Sequence, residues 1–380
     1  MAYRLSPLTG AVAVLMLVAA AFVSAQGPAD TRPAEQAYKN IKVMQGVPAN
    51  QISQSMHLIK AALGVDCTHC HIEMQWDLED VQPMKDKARA MYKMMVEINR
   101  VNFKGEQVVT CFTCHKGKAI PDTYPAMPAP EIKPEPENET KVVLPTADQV
   151  LAKYVTALGG EQALRKVTSR VITGSLNIAT GPGGTIPTPA TLERSMKAPN
   201  LVVDVYTTEK YAISNGFDGT VAWARNQNGA VATPGGIDLE RARRAAAFYE
   251  PLTIKQQYPT ITVVGIEKVN GRDAYAVTGT PAGNTPETLY FDTQTGLLLR
   301  KWTYLETASG KSPYQMDFDD YRDTGSGSKI PFTVRMAPST ARIELEPTST
   351  LRITKVQDNM PLDNAKFVKP APAPPAAPRQ

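Results

Sequence analysis

Cysteine and histidine are scarce, four of each in 380 residues, and tryptophan is scarcer still at three. An excess of charge of one sign is also missing: 41 Lys and Arg against 37 Asp and Glu leave a formal +4, too balanced to supply the basic footprint of a nucleic-acid partner. Beyond residue 23 there is no long apolar run, so no later segment reaches the ~20 residues of a membrane-spanning helix. No cysteine follows the apolar stretch Ala11 to Val23, which excludes a lipid on an N-terminal cysteine. Proline, by contrast, is abundant, 31 in all, clustered at 121–145 and 370–378. Such clusters read as stiff linkers and tails between folded units, and the length suits about two domains of ~150 residues.

The first 25 residues read as a cleaved export signal. Arg4 provides a basic start, Ala11 to Val23 the apolar core, and Val23-Ser24-Ala25 a small-residue cleavage site. The expected mature product is a soluble periplasmic or otherwise exported protein with no anchor in the mature chain, for which membrane association stays open.

All four cysteines stand in two copies of one pattern, Cys67-Thr68-His69-Cys70-His71 and Cys111-Phe112-Thr113-Cys114-His115. Two thiols one helical turn apart can add to the two vinyl groups of one porphyrin, and the next residue then offers an imidazole to the iron. Two disulfides, a thioredoxin-type dithiol or half a zinc ribbon would also use such cysteines. None of them needs a histidine after the second cysteine, and here it occurs twice. The expectation is two c-type haems, with His71 and His115 as proximal ligands and His69 a bystander.

The sixth iron position separates electron transfer from catalysis. Two helices are expected ahead of the motifs. Residues 49–63 place Ile52, Met56, Ile59 and Leu63 on one face, and residues 84–101 align Met84, Ala88, Met91, Met95 and Ile98. A methionine on such a face is ordinarily core filler. His57, ~100° round the helix from Met56, competes for the first iron, and Met94 and Met95 compete with Met91 for the second.

The stretch Lys39 to Gly117 carries N-I-K-V-M-Q-G-V-P, Met56, C-T-H-C-H, R-A-M-Y-K-M, E-I-N-R and V-T-C-F-T-C-H-K-G. It resembles the cytochrome c subunit of photosynthetic reaction centres. In that family a helix bearing the methionine ligand precedes its attachment motif, and the unit recurs. The resemblance implies Met56 and Met91 as axial ligands, hence coordinatively saturated, higher-potential irons that exchange electrons. The family carries four haems, one with a histidine from the segment after the second methionine helix. Val101-Asn102-Phe103-Lys104 holds no histidine and only two motifs exist, so the chain resembles half of such a subunit and says nothing about photosynthesis in its source.

Lys85, Arg89, Lys93 and Arg100 are expected on the side of the second helix opposite Met91: a solvated face, or a docking patch for an acidic redox partner. Residues 120–145 read as an extended linker and 370–380 as an unfolded Pro/Ala tail. Between them, 146–369 begins with a helix over 147–158 and a helical turn near Ala163, then changes to period two. Strands are expected at 169–179, 190–196, 201–207, 210–215, 220–225, 261–268, 273–279, 287–292, 297–305, 314–321, 331–336, 341–346 and 350–357. One helix near 238–249 interrupts them, and Asn270-Gly271 marks a hairpin.

The whole is expected to be multidomain: a small α-helical dihaem cytochrome unit over 26–119, then an α+β unit with one curved antiparallel sheet, a half-open β-barrel. K-A-P-N-L at 197–201, F-D-G-T-V-A-W at 217–223, L-Y-F-D-T-Q-T-G-L-L-L-R at 289–300 and I-P-F-T-V-R at 330–335 resemble lipoprotein-carrier domains. That resemblance implies an apolar concave face able to take an apolar ligand or lipid. With no histidine, no cysteine and acids spread along hairpins, this part offers no catalytic constellation. The function expected is electron transfer by an exported dihaem protein that is not an enzyme. The alternatives are a dihaem oxidoreductase such as a peroxidase with one open iron, and an apolar-ligand carrier with a redox-sensing haem unit.

Overall fold

The computed structural model describes residues 32–72, 75–77, 83–122, 143–180, 186–281, 286–307, 309–338 and 349–371. The export segment, most of the expected linker, the strand expected at 341–346 and most of the C-terminal tail lie outside the described residues.

The first part is helical. A short helix α1 (Ala34–Ala37) precedes α2 (Asn50–Leu63), a 3-10 turn spans Cys67–His69, then α3 (Pro83–Asn102) and a single-turn α4 (Cys111–His115) follow. Helix α2 stops at Gly64, whose φ of 65° is the left-handed cap that glycine adopts without penalty. Helix α3 begins at Pro83, where a missing N–H costs nothing. Ala34, Met44 and Ile52 form a small core here with Ile59 and Tyr92 packed on it. Gly117 donates its N–H to the Ala62 carbonyl at 2.9 Å, so the chain beyond the second motif is tied to the end of α2.

The second part opens with α5 (Ala147–Ala157) and α6 (Gly160–Arg165) and continues into thirteen strands. They are β1 (Ser169–Thr180), β2 (Ile186–Lys197), β3 (Leu201–Thr207), β4 (Ala212–Phe217), β5 (Ala222–Arg225), β6 (Val231–Ala232), β7 (Thr260–Val269), β8 (Arg272–Thr280), β9 (Glu287–Asp292), β10 (Leu298–Thr307), β11 (Gly310–Asp323), β12 (Lys329–Pro338) and β13 (Ser349–Asp358). They form one sheet in the order β6-β5-β4-β3-β2-β1-β13-β12-β11-β10-β9-β8-β7, and every pairing is antiparallel. Two meanders thus meet where β1 pairs with β13, and β6 and β7 are left as open edges. The sheet is not closed.

Strand β2 starts earlier than expected, taking in Pro187 and Pro189. Its pairing with β3 begins only at Thr191, so both prolines sit where the strand has a neighbour on one side alone, an edge position that tolerates proline. Asn270 and Gly271 have φ of 50° and 81°, the two positive values that a tight hairpin between β7 and β8 requires.

Between β6 and β7 the single helix expected near 238–249 is two helices, α7 (Gly236–Ala246) and α8 (Glu250–Gln257). Pro251 occupies the first turn of α8 and cannot continue a helix from α7, because its ring would clash with the carbonyl four residues back. The break lets Phe248 bond its N–H to the Pro199 carbonyl at 3.0 Å and bury its ring in the core.

Helix α7 also reveals the curvature. It packs against β4 and β5, while its Arg244 bonds Glu287 on β9 and its Arg241 bonds the Tyr304 carbonyl on β10. In a flat sheet β4 and β9, eight strand positions apart, would stand ~38 Å from each other at ~4.8 Å per strand. The 11 residues of α7 span only ~16 Å, so the sheet must curl around them. The main core, including Tyr206, Phe217, Phe248, Tyr258 and Phe291, fills the inside with Tyr154 of α5.

The concave face is not purely apolar, and this corrects the expectation. A bulge between Leu298 and Arg300 shifts the register of β10 on β9, which turns Lys301 and Thr303 inward in place of Arg300 and Trp302. Lys301, Glu287, Arg244, Glu250, Arg194 and Asp204 then line one cavity of about 360 Å³. The acids are scattered in sequence yet converge in space.

Candidate haem-attachment site

The two C-x-x-C-H motifs adopt different turns but present their histidines alike. In the first, the 3-10 turn brings the His71 N–H onto the Cys67 carbonyl at 3.0 Å. In the second, Thr110 caps α4 by donating its N–H to the Thr113 hydroxyl at 3.0 Å. His71 Nδ1 lies 2.8 Å from the Trp76 carbonyl and His115 Nδ1 lies 2.9 Å from the Lys118 carbonyl. A carbonyl only accepts, so each Nδ1 carries the proton and donates it. The bond leaves each Nε2 as the nitrogen free to face a metal and fixes the ring's direction, the orientation in which imidazole binds one.

Burial, reinforced by the nearby Lys85 charge, pushes His71 below its ordinary value and keeps the imidazole neutral, against the bond to Trp76. Burial raises the Cys70 and Cys111 thiols, which holds both protonated until they are alkylated.

Around these motifs several large apolar side chains stand open. Met56 is 36% exposed, Met91 46%, Met94 48% and Phe112 55%. The spacing puts Met56 on one apolar face with Ile52 and Ile59, but those two go into the core while Met56 does not. On α3, Met95 is buried at 5% exposure, so its sulphur is turned away from the open face that Met91 and Met94 share. This donor set, paired thiols, a neutral imidazole with a free Nε2 and accessible thioethers beside apolar surface, fits covalently bound haem. Among the described residues no group of three or more His, Cys, Asp or Glu is gathered for a bare metal ion.

The four cations of α3 do not form one face. Arg89 is turned in, its guanidinium on the Asn40 carbonyl and side chain at 3.3 and 3.2 Å and on Asp86 at 3.0 Å. Lys85 and Arg89 bear on His71, Arg100 is paired to Glu97, and Lys93 is exposed. Arg89 therefore does not share an open face with the other three.

Two supports of the site are not encoded by the motifs themselves. Asn99, 3% exposed, clamps the strand-like segment ahead of the second motif, donating to the Val109 carbonyl at 2.7 Å and accepting its N–H at 2.8 Å. A polar residue on the inner face of an otherwise amphipathic helix was the available signal. Gly64 touches Gly117 so closely that a Cβ at Gly64 would stand 2.0 Å from the Gly117 oxygen. The backbones leading into the first motif and out of the second are thereby in contact. The helical part also rests on the sheet: a Cβ at Gly310 would meet Thr110 at 3.1 Å and Leu58 at 3.2 Å.

Residues 14–158 match the family described as the photosynthetic reaction centre cytochrome C subunit. The photosynthetic reaction center cytochrome c subunit of Thermochromatium tepidum is 26% identical over 116 residues, 28% of this chain and 28% of that protein; the chain thus spans well under half of that relative. Among solved structures, a LolA superfamily protein from Nitrosomonas europaea aligns with a TM-score of 0.42 at 13% identity, over 60% of this chain and 99% of its own. A DUF1329 family protein from Desulfovibrio piger aligns with a TM-score of 0.43 at 13% identity, over 58% and 96%. No helix among the described residues is long and apolar enough to cross a membrane. The N-terminal part of the chain, with both attachment motifs, is similar to the photosynthetic reaction-centre cytochrome c subunit, a cytochrome whose kind binds c-type haem covalently.

Proposed function

We propose that the protein is an exported dihaem electron carrier. The observation that carries this reading is the repeated presentation of a histidine, its Nδ1–H engaged by a carbonyl and its Nε2 left open, directly after the second cysteine of each motif. When bound, each haem supplies a one-electron iron couple. Cys67 and Cys70 anchor the first ring and Cys111 and Cys114 the second. His71 and His115 would each hold an iron through Nε2, and Met56 and Met91 would each offer it a thioether. Thioether ligation would favour the reduced iron and would compete with an exogenous ligand.

The contact of Gly64 with Gly117 keeps the two attachment turns in one rigid unit, so distances for electron exchange are set by backbone packing. Lys93 and the rest of the exposed surface of α3 offer a landing face for an acidic redox partner, acting through encounter rate and fading with salt.

The test is a pyridine haemochrome count and an optical redox titration of the purified protein, with carbon monoxide added to the reduced form. Two haems per chain, both indifferent to carbon monoxide, are expected; Met56→Ala and Met91→Ala should each open one haem. One haem binding carbon monoxide in the unaltered protein would overturn the carrier reading in favour of catalysis.

A further inference from the structure

The cavity inside the curled sheet contains groups that pack together at a cost unless something joins them. Glu250, the first residue of α8, is 5% exposed and its Oε2 is buried with no hydrogen-bond partner; Arg244 Nε is likewise buried and unpartnered. Neighbouring Glu287 is the opposite case. It accepts from Arg244 at 2.8 and 3.2 Å, from Thr303 at 3.1 Å and from Tyr258, and is paired with Lys301 at 2.7 Å. One carboxylate therefore serves two cations. Across the cavity Arg194 pairs with Asp204 at 3.4 Å.

With Glu250 neutral, the deep groups Arg194, Arg244 and Lys301 exceed Asp204 and Glu287 by one positive charge. The unmatched features are then a cation excess and two buried hydrogen-bond donors, Arg244 Nε–H and the Glu250 carboxyl O–H. Both ask for an acceptor, since a buried donor without one carries its full desolvation cost. Beside them the wall is apolar, formed by Val202, Phe217 and Met316, and Pro48, Asn50 and Gln51 of the helical part close one side. The volume lies in the range of small-molecule sites.

We infer that this cavity binds a small amphipathic carboxylate, its anionic head received by Arg244, Lys301 and Glu250 and its apolar body lying on Phe217 and Met316. The charge balance sets the pH dependence. Burial pushes Glu250 up to about 8, with Lys301 and Arg244 pulling it down and Glu287 pushing it further up. Tyr154, Tyr258 and Tyr321 also face it, and burial holds their phenols far above the working range. Asp204 on the far wall is raised by burial and lowered by Arg194. Above pH 8 each ligand must bring a proton to Glu250, so affinity falls about tenfold per pH unit.

Isothermal titration of the full holoprotein with octanoate, 1-octanol and octylammonium decides it. Octanoate should bind one to one at pH 6.5, at least about tenfold more tightly than either analogue, and weaken above pH 8. Glu250→Gln, which keeps a neutral donor, should hold octanoate equally well at pH 6.5 and pH 9. Octanol binding as tightly as octanoate would show a purely apolar site, octylammonium binding best would show a cation site, and absence of octanoate binding would show none. Each of these results overturns the assignment.

Discussion

Gly64→Ala tests whether the two attachment turns are joined as described. The residue has φ of 65° and its new Cβ would fall 2.0 Å from the Gly117 oxygen and 2.9 Å from the Gly117 carbon. The left-handed backbone costs an alanine about 1–2 kcal/mol. Relieving the overlap requires the Gly117 peptide to retreat by more than an ångström, which breaks the bond from Gly117 N–H to the Ala62 carbonyl, about 1 kcal/mol. Loss of the surrounding packing adds about 1 kcal/mol more. Gly46→Ala is the control, since Gly46 has a similar φ of 75° and nothing within 4 Å of its Cβ.

Unfolding in denaturant, followed at the haem absorption band, should therefore show Gly64→Ala about 2 kcal/mol less stable than Gly46→Ala. The reduced spectrum of the second haem should also change, because the displaced loop carries the Lys118 carbonyl that orients His115. Equal destabilisation of the two variants, with an unaltered second haem, would refute the contact and with it the single rigid unit.

Asn99→Ala should cost about 2 kcal/mol, since it strands the N–H and carbonyl of Val109; thermal unfolding measures this, and Asn99→Asp should recover the accepting half. Arg170 is fully buried on Asp358, with Nε to Oδ1 at 2.5 Å, so Arg170→Met should cost about 3–5 kcal/mol and Arg170→Met with Asp358→Leu should restore most of it. Burial raises Asp358, but Arg170 together with the Thr324 and Ser326 hydroxyls holds it below the ordinary carboxylate value. Its contribution is therefore present above the ordinary carboxylate range and lost as pH falls below it, which unfolding between pH 2 and pH 6 would display. Glu250 behaves in the opposite sense: its folded value of about 8 against an ordinary 4.5 makes stability fall between those pH values. At about 1.4 kcal/mol per unit the loss is about 3 kcal/mol at pH 7, and Glu250→Gln should flatten urea-unfolding stability across pH 5–8.

The proposed haem attachments rest on chemistry written in five adjacent residues, and the Asn270-Gly271 hairpin is legible because two positive φ values need those residue types. Strand positions followed from alternation, but alternation does not say which strands meet. The pairing of Arg170 with Asp358 joins residues on the first and last strands, and no local pattern encodes it. Nor does alternation survive a bulge: at Leu298 and Arg300 the inward set changes phase, so Lys301 reads as outward in sequence and is inward in the fold. Arg89 was misplaced for a related reason, since helical spacing gives a direction and not the neighbour, Asn40, that waits there.

The order of the sheet bears on how the chain reaches its native state. Synthesis runs from the middle of the sheet to one edge, crosses through α7 and α8 to the other edge, and returns to the middle. Each meander joins only sequence neighbours, which are fast contacts to make, while the seam between β1 and β13 closes a loop of nearly two hundred residues and pays its entropy last. The molecule is thus two locally folding halves with one late seam. Severed between α8 and β7, the two fragments should still find each other along that seam and around α7, a complementation that a flat sheet of consecutive strands would not offer.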